Sequence, residues 1–327
     1  MTHFPAEPFV SVVTPVYNTD AYIAEAIESV IAQTYQNWEY IIANNKSTDR
    51  SAEIAREYAA KDSRIRVIDN DEFLAQVPNY NNALRLISPE GKYCKVLQAD
   101  DWLFPECLAR MVEVAERSDS IAIISAYQLK GDTIGCQGLR YEQQVISGRE
   151  ACRLHLLERK SLFGNPSSIM YRSDLVRERN PFFDEVSMLE DTEVCYDLLR
   201  GRDFGFVHAL LVYLRVDNES ITSKFESFNP YLLHELILVR KYGPELLDED
   251  EYERRSHDLE KMYRKYLGEA VLANRRDEFW EYHLRGLQQI DYRLTKRKLT
   301  SWAAGAVADL ALNPKNTVER LVKRLKR

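Results

Sequence analysis

No apolar run of roughly 18 residues occurs in this 327-residue chain, so no membrane-spanning helix is expected. The first eight residues carry no basic segment and no apolar core, so no signal peptide is expected either. Cysteine is sparse. The five present, Cys94, Cys107, Cys136, Cys152 and Cys195, are odd in number and form no CxxC pair, which excludes a zinc-ribbon or disulfide framework. Reduced thiols in a cytoplasmic protein are the simplest account. An excess of positive charge is also missing. The 44 Lys and Arg residues face 51 Asp and Glu, for a net charge of -7, so the chain as a whole is no nucleic-acid binder. Internal repeats and low-complexity tracts are absent, and the histidines show no metal-ligand spacing. What is there is an ordinary globular composition, 45% hydrophobic and 29% charged, able to bury a sizeable core in one large domain or two.

The pattern along the chain alternates. Residues 9–15 are β-rich and apolar, and Ile23, Ala26, Ile27, Val30 and Ile31 then recur at helical spacing. Residues 38–43 predict a second strand, and Asp49 or Ser51 is placed to cap the helix that follows. Residues 65–68, 93–99 and 121–127 read as further strands. Residues 78–87 and 105–116 read as helices, the latter opened by Pro105. Strand–helix alternation predicts a mostly parallel sheet with helices on both faces. Residues 130–145 are expected to be an irregular excursion. Ser147 and Glu150 fit a capping box for a helix through Leu157. Residues 164–168 read as a turn-rich loop, and 204–207 and 211–216 as two short strands. Beyond Pro230 the signal is helical.

Residues 93–103 stand out. An apolar run ends in adjacent acids, Asp100 and Asp101, at the carboxyl end of a predicted strand. That edge is where open α/β sheets bind ligands. Two neighbouring carboxylates repel unless a cation or hydrogen-bond donors offset them. A solvated turn leading into a helix would use the same residues.

Residues 10–18 (Val-Ser-Val-Val-Thr-Pro-Val-Tyr-Asn), 33–39 (Gln-Thr-Tyr-Gln-Asn-Trp-Glu), 47–49 (Ser-Thr-Asp), 99–101 (Ala-Asp-Asp) and 190–191 (Glu-Asp) follow one another in order. Over residues 9–225 the set resembles the family 2 glycosyltransferases, inverting enzymes of the GT-A fold that use nucleotide-activated sugars. The resemblance implies a GT-A domain over residues 1–226 and a helical region over 227–327. It also implies a nucleotide-sugar donor, a saccharide or lipid-linked acceptor, and Mg²⁺ or Mn²⁺ as cofactor. Polysaccharide or glycolipid assembly at the cell envelope is the setting it implies. Tyr17 would stack on the base, with Pro15 beside it. Asn44 and Asn45 stand where the family usually has two aspartates. An amide oxygen there can take the uracil N3–H through a neutral bond, so a UDP-sugar is favoured while dTDP and GDP donors stay open. A plain Asn-rich turn would explain the pair as well. Asn81 matches a family asparagine, and the preceding family arginine is Tyr80 here. A cationic diphosphate contact is then either missing or supplied by Lys46, Arg85 or a residue elsewhere.

By the same resemblance Asp100 would hold the ribose and Asp101 the metal ion, whose hard-ligand chemistry suits carboxylate and phosphate oxygens. Glu190 and Asp191 match the catalytic acidic pair, with Asp191 as the base that faces the acceptor hydroxyl. A helix N-terminus favours acids for its own reasons. Residues 214–222 match the family's closing segment, with Arg215 toward the diphosphate. Asp217 stands where the family has histidine, either as a metal ligand or as a turn cap. Two other readings compete. A sugar-nucleotide nucleotidyltransferase would need a Gly-rich basic loop after the first strand, which residues 14–18 do not provide. A non-catalytic nucleotide-sugar binder would fit the Asn44–Asn45 departure.

The end of the chain has its own character. From Arg293 to Arg327 there are ten basic residues against two acids, Asp309 and Glu319, in a chain that is acidic overall. Trp302, Ala303, Ala306, Val307, Leu310 and Ala311 form an apolar stripe at helical spacing. A basic amphipathic segment suits the surface of an anionic membrane. Packing on protein would use the same stripe.

Overall fold

The computed structural model describes residues 7–160, 162–216 and 228–312; Asp217 and the basic residues beyond 312 lie outside the described residues. The chain divides into two compact units, Met1–Asn218 and Glu219–Arg327.

The first unit is built on a ten-stranded sheet. In chain order it contains β1 (Val10–Val16), α1 (Ile23–Ile31), β2 (Trp38–Asn44), α2 (Ser51–Ala59), β3 (Ile65–Asp69), α3 (Gln76–Leu84) and β4 (Tyr93–Val96). Next come β5 (Trp102–Leu103), α4 (Cys107–Ala115), β6 (Ile121–Lys130), β7 (Thr133–Gly135), β8 (Val145–Ser147) and α5 (Gly148–Glu158). A short 3₁₀ turn (Pro166–Ser168), β9 (Met170–Arg172), α6 (Ser173–Glu178), α7 (Glu190–Leu198) and β10 (Asp203–Leu214) complete it. The path across the sheet is β3-β2-β1-β4-β9-β6-β10-β5. Strands β3, β2, β1 and β4 run parallel, as do β6 and β10, and β9 is antiparallel between the two groups.

Every residue of β1 and β2 is buried. Both faces of the sheet are covered there, which is why these strands read as continuous apolar runs rather than alternating ones. The chain leaves β1 toward β2 and β3 on one side, and returns to place β4 on the other. The resulting switch point lies between β1 and β4, and open sheets of this kind bind ligands at the carboxyl ends of the strands there.

Several expectations shift in detail. The fourth strand ends at Val96, and residues 97–101 form a turn held by Leu97 N–H to the Val13 carbonyl (2.9 Å) and Asp101 N–H to the Gln98 carbonyl (3.1 Å). Trp102 and Leu103 form a strand rather than a helix approach, because they pair with Tyr213 and Val212 of β10. The Trp102 and Tyr213 rings stack at 3.7 Å, so a cross-strand contact decides the local structure. The two short strands expected around residues 204–216 are one strand, β10, whose register shifts near Val207 and Leu210 mark the break. The irregular excursion at 130–145 contains β7 and β8, paired to β6 and β10. Neither Asp49 nor Ser51 sits at the cap position of α2, which is Arg50, yet Asp49 Oδ1 accepts the Ser51 N–H at 3.0 Å. Ser147 Oγ accepts the Glu150 N–H at 3.2 Å at the start of α5.

The second unit contains α8 (Pro230–Leu246), α9 (Glu249–Leu272), α10 (Asp277–Gln288) and α11 (Lys296–Leu312). A capping box, Asp248 with Glu251, opens the long helix α9. Gly268 of α9 lies against the backbone of Trp302, where a Cβ would meet the Trp302 carbonyl oxygen at 2.4 Å. Ala303 and Ala306, two members of the apolar stripe, are buried. That part of the stripe is spent on helix packing, while Val307 and Leu312 remain exposed. No helix among the described residues is long and apolar enough to cross a membrane.

Candidate active site

The carboxyl ends of β1 and β2 carry Pro15, Tyr17, Asn44 and Asn45. Pro15 lies in register with Ala43. Tyr17 is 45% exposed and meets Phe73, 58% exposed, edge to face at 4.8 Å. Two large aromatics left open on this edge offer a flat surface to a ring ligand. Asn44 Nδ2 donates to Asp69 Oδ1 at 2.6 Å, and its Oδ1 accepts the Ser47 N–H at 3.2 Å.

Asn45 is buried and fully engaged. Its Nδ2 donates to the Leu74 carbonyl (2.8 Å), and its Oδ1 accepts the Leu74 N–H and Asn70 Nδ2 (2.9 Å each). Asn70 also donates to Asn79 Oδ1 and accepts from Asn82 Nδ2. The amide of Asn45 thus imitates a strand partner for Leu74 and holds the loop that presents Phe73. Replacing Asn45 by Asp turns its only donor into an acceptor facing the Leu74 carbonyl. The expected cost is about 1–3 kcal/mol for the orphaned pair. Chemical denaturation checks the loss of stability, and the preference between UDP and GDP should stay unchanged.

The second part of the site is the turn after β4. Asp101 is only 4% exposed. Its Oδ2 accepts Ser167 Oγ–H at 2.6 Å and Asn165 Nδ2 at 3.3 Å, and its Oδ1 accepts the Arg215 N–H at 3.1 Å. Burial pushes its pKa up to about 6, against the lowering pull of those donors. Arg215 is locked over this turn. Its Nε donates to the Asp100 carbonyl at 3.1 Å, its Nη2 pairs with Glu25 of α1, and its guanidinium lies over the rings of Tyr22 (4.6 Å) and Trp102 (5.5 Å). Gln98 acts as a bridge. Its Nε2 donates to Tyr80 Oη at 2.9 Å, its Oε1 accepts Asn165 Nδ2 at 2.6 Å, and its N–H donates to Ser167 Oγ at 2.9 Å.

The third part is the start of α7. Glu190 and Asp191 open this helix, whose first turn carries three acids with Glu193. The positive end of the helix dipole favours them there. Asp191 is half-buried by accessible surface, and its carboxyl sits deep enough that burial raises its pKa, with Thr192 acting the other way. Thr192 Oγ1 donates to Asp191 Oδ1 at 3.2 Å. Asn81 sets the segment ahead of the helix. Its Nδ2 donates to the Phe183 carbonyl (2.9 Å) and Glu185 Oε1 (3.0 Å), and its Oδ1 accepts the Phe183 N–H (2.8 Å). Asn81 is therefore turned to protein on both sides of its amide.

Tyr80 ties these parts together. Burial first, then the negative charges of Asp100, Asp101 and Glu190, push its hydroxyl well above the ordinary tyrosine pKa. Among the described residues, no group of three or more His, Cys, Asp or Glu side chains is arranged to hold a metal ion. Asp217 lies outside the described residues.

Sequence reasoning missed Asn165, Ser167, Gln98 and Lys95 as site residues. Lys95 is fully buried in β4, with Nζ donating to the Ser167 carbonyl and, at 3.2 Å, to the Ile169 carbonyl. Burial lowers its pKa to about 8, and Asp101 is among the groups that act against that shift. A lysine inside an apolar strand run was the one signal that pointed to it.

The glycosyl transferase family 2 model matches residues 11–179, just over half of the chain. An uncharacterized glycosyltransferase of Haemophilus influenzae is 31% identical over 183 residues, covering 54% of this chain and 56% of that protein. The chain spans about half the length, or less, of the curated relatives it matches. Among solved structures, S. aureus TarS in complex with UDP-GlcNAc aligns with a TM-score of 0.62 at 15% identity, covering 92% of this chain and 89% of that one. The mannosyltransferase PcManGT of Pyrobaculum calidifontis, in complex with GDP-Man and Mn²⁺, aligns with a TM-score of 0.56 at 16% identity, over 94% of this chain and 81% of its own. At such identities the structural likeness speaks to the fold, which is GT-A-like, with a C-terminal helical region. Taken with the sheet order and the acids gathered at its carboxyl edge, the match assigns this chain to glycosyl transferase family 2.

Proposed function

We propose that this glycosyltransferase moves a sugar from a nucleoside-diphosphate donor to an acceptor hydroxyl with inversion. The observation that carries the reading is the family match over residues 11–179, with Asp101 held buried in the turn that follows β4 and Glu190 and Asp191 opening α7. Two acidic pairs with separate tasks have to meet at one donor sugar, and this arrangement allows it. The donors bound by TarS and PcManGT, UDP-GlcNAc and GDP-Man, support a nucleotide sugar. Tyr17 stacks on the base, with Pro15 beside it. Asn44 and Asn45 shape the base site by holding the loops around it. Asn81 holds the segment that leads to the acid pair. Asp100 takes the ribose, and Arg215 steadies the turn while facing the diphosphate.

Asp101 suits a divalent cation, Mg²⁺ or Mn²⁺. Its carboxyl is buried among neutral donors, and no lysine or arginine side chain is among its hydrogen-bond partners. Such a carboxylate has no direct ion pair among its hydrogen-bond partners, and these ions favour carboxylate and phosphate oxygens. Asp217 is the candidate second ligand. When bound, the ion offsets the negative charge that develops on the departing nucleoside diphosphate. Asp191 takes the proton of the acceptor hydroxyl, whose oxygen forms the new bond to the anomeric carbon as the bond to phosphate breaks on the opposite side. A panel of UDP-, dTDP- and GDP-sugars with Mn²⁺, read by thermal shift and by released nucleoside diphosphate, tests this. Absence of any nucleotide-dependent shift sinks it.

The acceptor is a saccharide or lipid-linked hydroxyl, in cell-envelope polysaccharide or glycolipid synthesis. The family resemblance and the basic chain end support this setting. Lys296 and Arg297 are exposed at the start of α11. Each basic residue near an anionic surface contributes about 1 kcal/mol, so several hold a protein peripherally at the cytoplasmic face. Flotation with vesicles rich in anionic lipid should carry full-length protein at low salt and lose a chain ending at Tyr292. If full-length protein stays unbound, the membrane role is excluded.

A further inference from the structure

Among the described residues, Lys95 is the only lysine or arginine that is buried. It lies in the middle of β4, opposite Val12 of β1 and Met170 of β9. A buried cation is normally paired with a carboxylate, because leaving water is otherwise costly. The acceptors of Lys95 are instead two neutral carbonyls, those of Ser167 and Ile169. A methionine would fill the same space without that cost. What a lysine adds is a charge and three N–H donors.

The two carbonyls belong to the segment that serves Asp101. Ser167 is gripped at both ends. Its carbonyl accepts from Lys95, and its hydroxyl donates to Asp101 and accepts the Gln98 N–H. Asn165, on the same turn, donates to Asp101 and Gln98. The strand that ends in the Asp100–Asp101 turn therefore also anchors the loop opposite it, through Lys95. Ser168 extends the hold to β6, since its single hydroxyl proton lies within reach of both Gln128 Oε1 and Asn165 Oδ1.

We propose that Lys95 is a positioning residue of the donor site. Its ammonium fixes the Ser167 and Ile169 carbonyls so that the Ser167 hydroxyl and Asn165 amide meet Asp101. This rests on the nucleotide-donor reading above. It differs from a role in packing alone, which a neutral side chain of the same size would fill. Groups that orient a ligating carboxylate typically change metal-dependent affinity by about 10–100-fold when removed.

The test uses the full chain as Lys95→Met, Ser167→Ala and the double variant. Binding of UDP and of GDP is measured by calorimetry with Mn²⁺ and in EDTA, and melting is followed in EDTA. The expected result is a loss of about 10–100-fold in Mn²⁺-dependent affinity for each single variant. The double variant should lose no more than the worse single one, because both act on Asp101 through one residue. A packing role alone predicts lower melting temperature with affinity unchanged, and affinity within about twofold of wild type in Lys95→Met overturns the proposal. If Lys95→Met shows no cooperative melting, Ser167→Ala decides, and unchanged affinity there overturns it too. If wild type binds neither nucleotide with Mn²⁺, the donor reading fails, and this inference with it.

Discussion

Replacing Asp191 by Asn should reduce sugar transfer by ~10²–10⁴-fold, the range that a positioned general base contributes. Asn has nearly the same shape and can still accept the Thr192 hydroxyl that now meets Asp191 Oδ1. It cannot take a proton. Nucleotide binding should therefore stay within about threefold of wild type, because the loss falls on an interaction made only in the transition state. Burial raises the Asp191 pKa from the ordinary aspartate value. A stronger base is better matched to a hydroxyl at neutral pH. The same shift sets the pH dependence. The base works only when ionised, so turnover should fall as pH drops through that raised pKa and level off above it. In Asp191→Asn the residual activity should lose this acidic limb. Single-turnover rates across pH, with calorimetry of nucleotide binding, check both points. If Asp191→Asn transfers at the wild-type rate while Glu190→Gln does not, the base is Glu190.

The pair at 190–191 was legible because acids opening a helix after a long interval match a known order of motifs. The strands β1, β2 and β4 were legible for a physical reason. They are buried on both faces, so composition alone marks them. Strand β5 was not, because two residues carry no period, and their state is set by Tyr213 and Val212 more than a hundred positions away. The site divides in the same way. Asp100 and Asp101 announce themselves as adjacent acids at a strand end. Ser167 and Asn165 read as turn residues, since nothing near them in sequence refers to Asp101. Asn45 was expected to face a base, and its amide is instead satisfied by Leu74 and Asn70. An asparagine can serve a ligand or a loop, and only the positions of its partners decide which.

Asp101→Asn should abolish metal-dependent nucleotide binding while leaving the metal-free protein about as stable as wild type. The two halves follow from the burial of the carboxyl, which is 4% exposed and whose pKa burial pushes up to about 6. A raised folded pKa means that the protonated form is favoured in the fold. The contribution of this group to stability is then full below the unfolded value, and is lost as pH rises through about 6. At neutral pH the ionised carboxyl costs the metal-free protein about 3 kcal/mol at most. Removing the charge recovers that cost. The Asn amide must then turn its NH₂ either toward the Arg215 N–H or toward Ser167 and Asn165, which returns about 1–3 kcal/mol. The sum lies near zero, so melting in EDTA should barely move. With Mn²⁺ and nucleotide at 100 times Kd, wild type gains about 2.7 kcal/mol, and the variant should gain nothing. Metal affinity requires the ionised carboxylate, so in wild type it should fall about tenfold per pH unit below 6 and be flat above it. A ligand-induced rise in Tm that survives in Asp101→Asn, or that persists undiminished at pH 4, would remove Asp101 from the metal site.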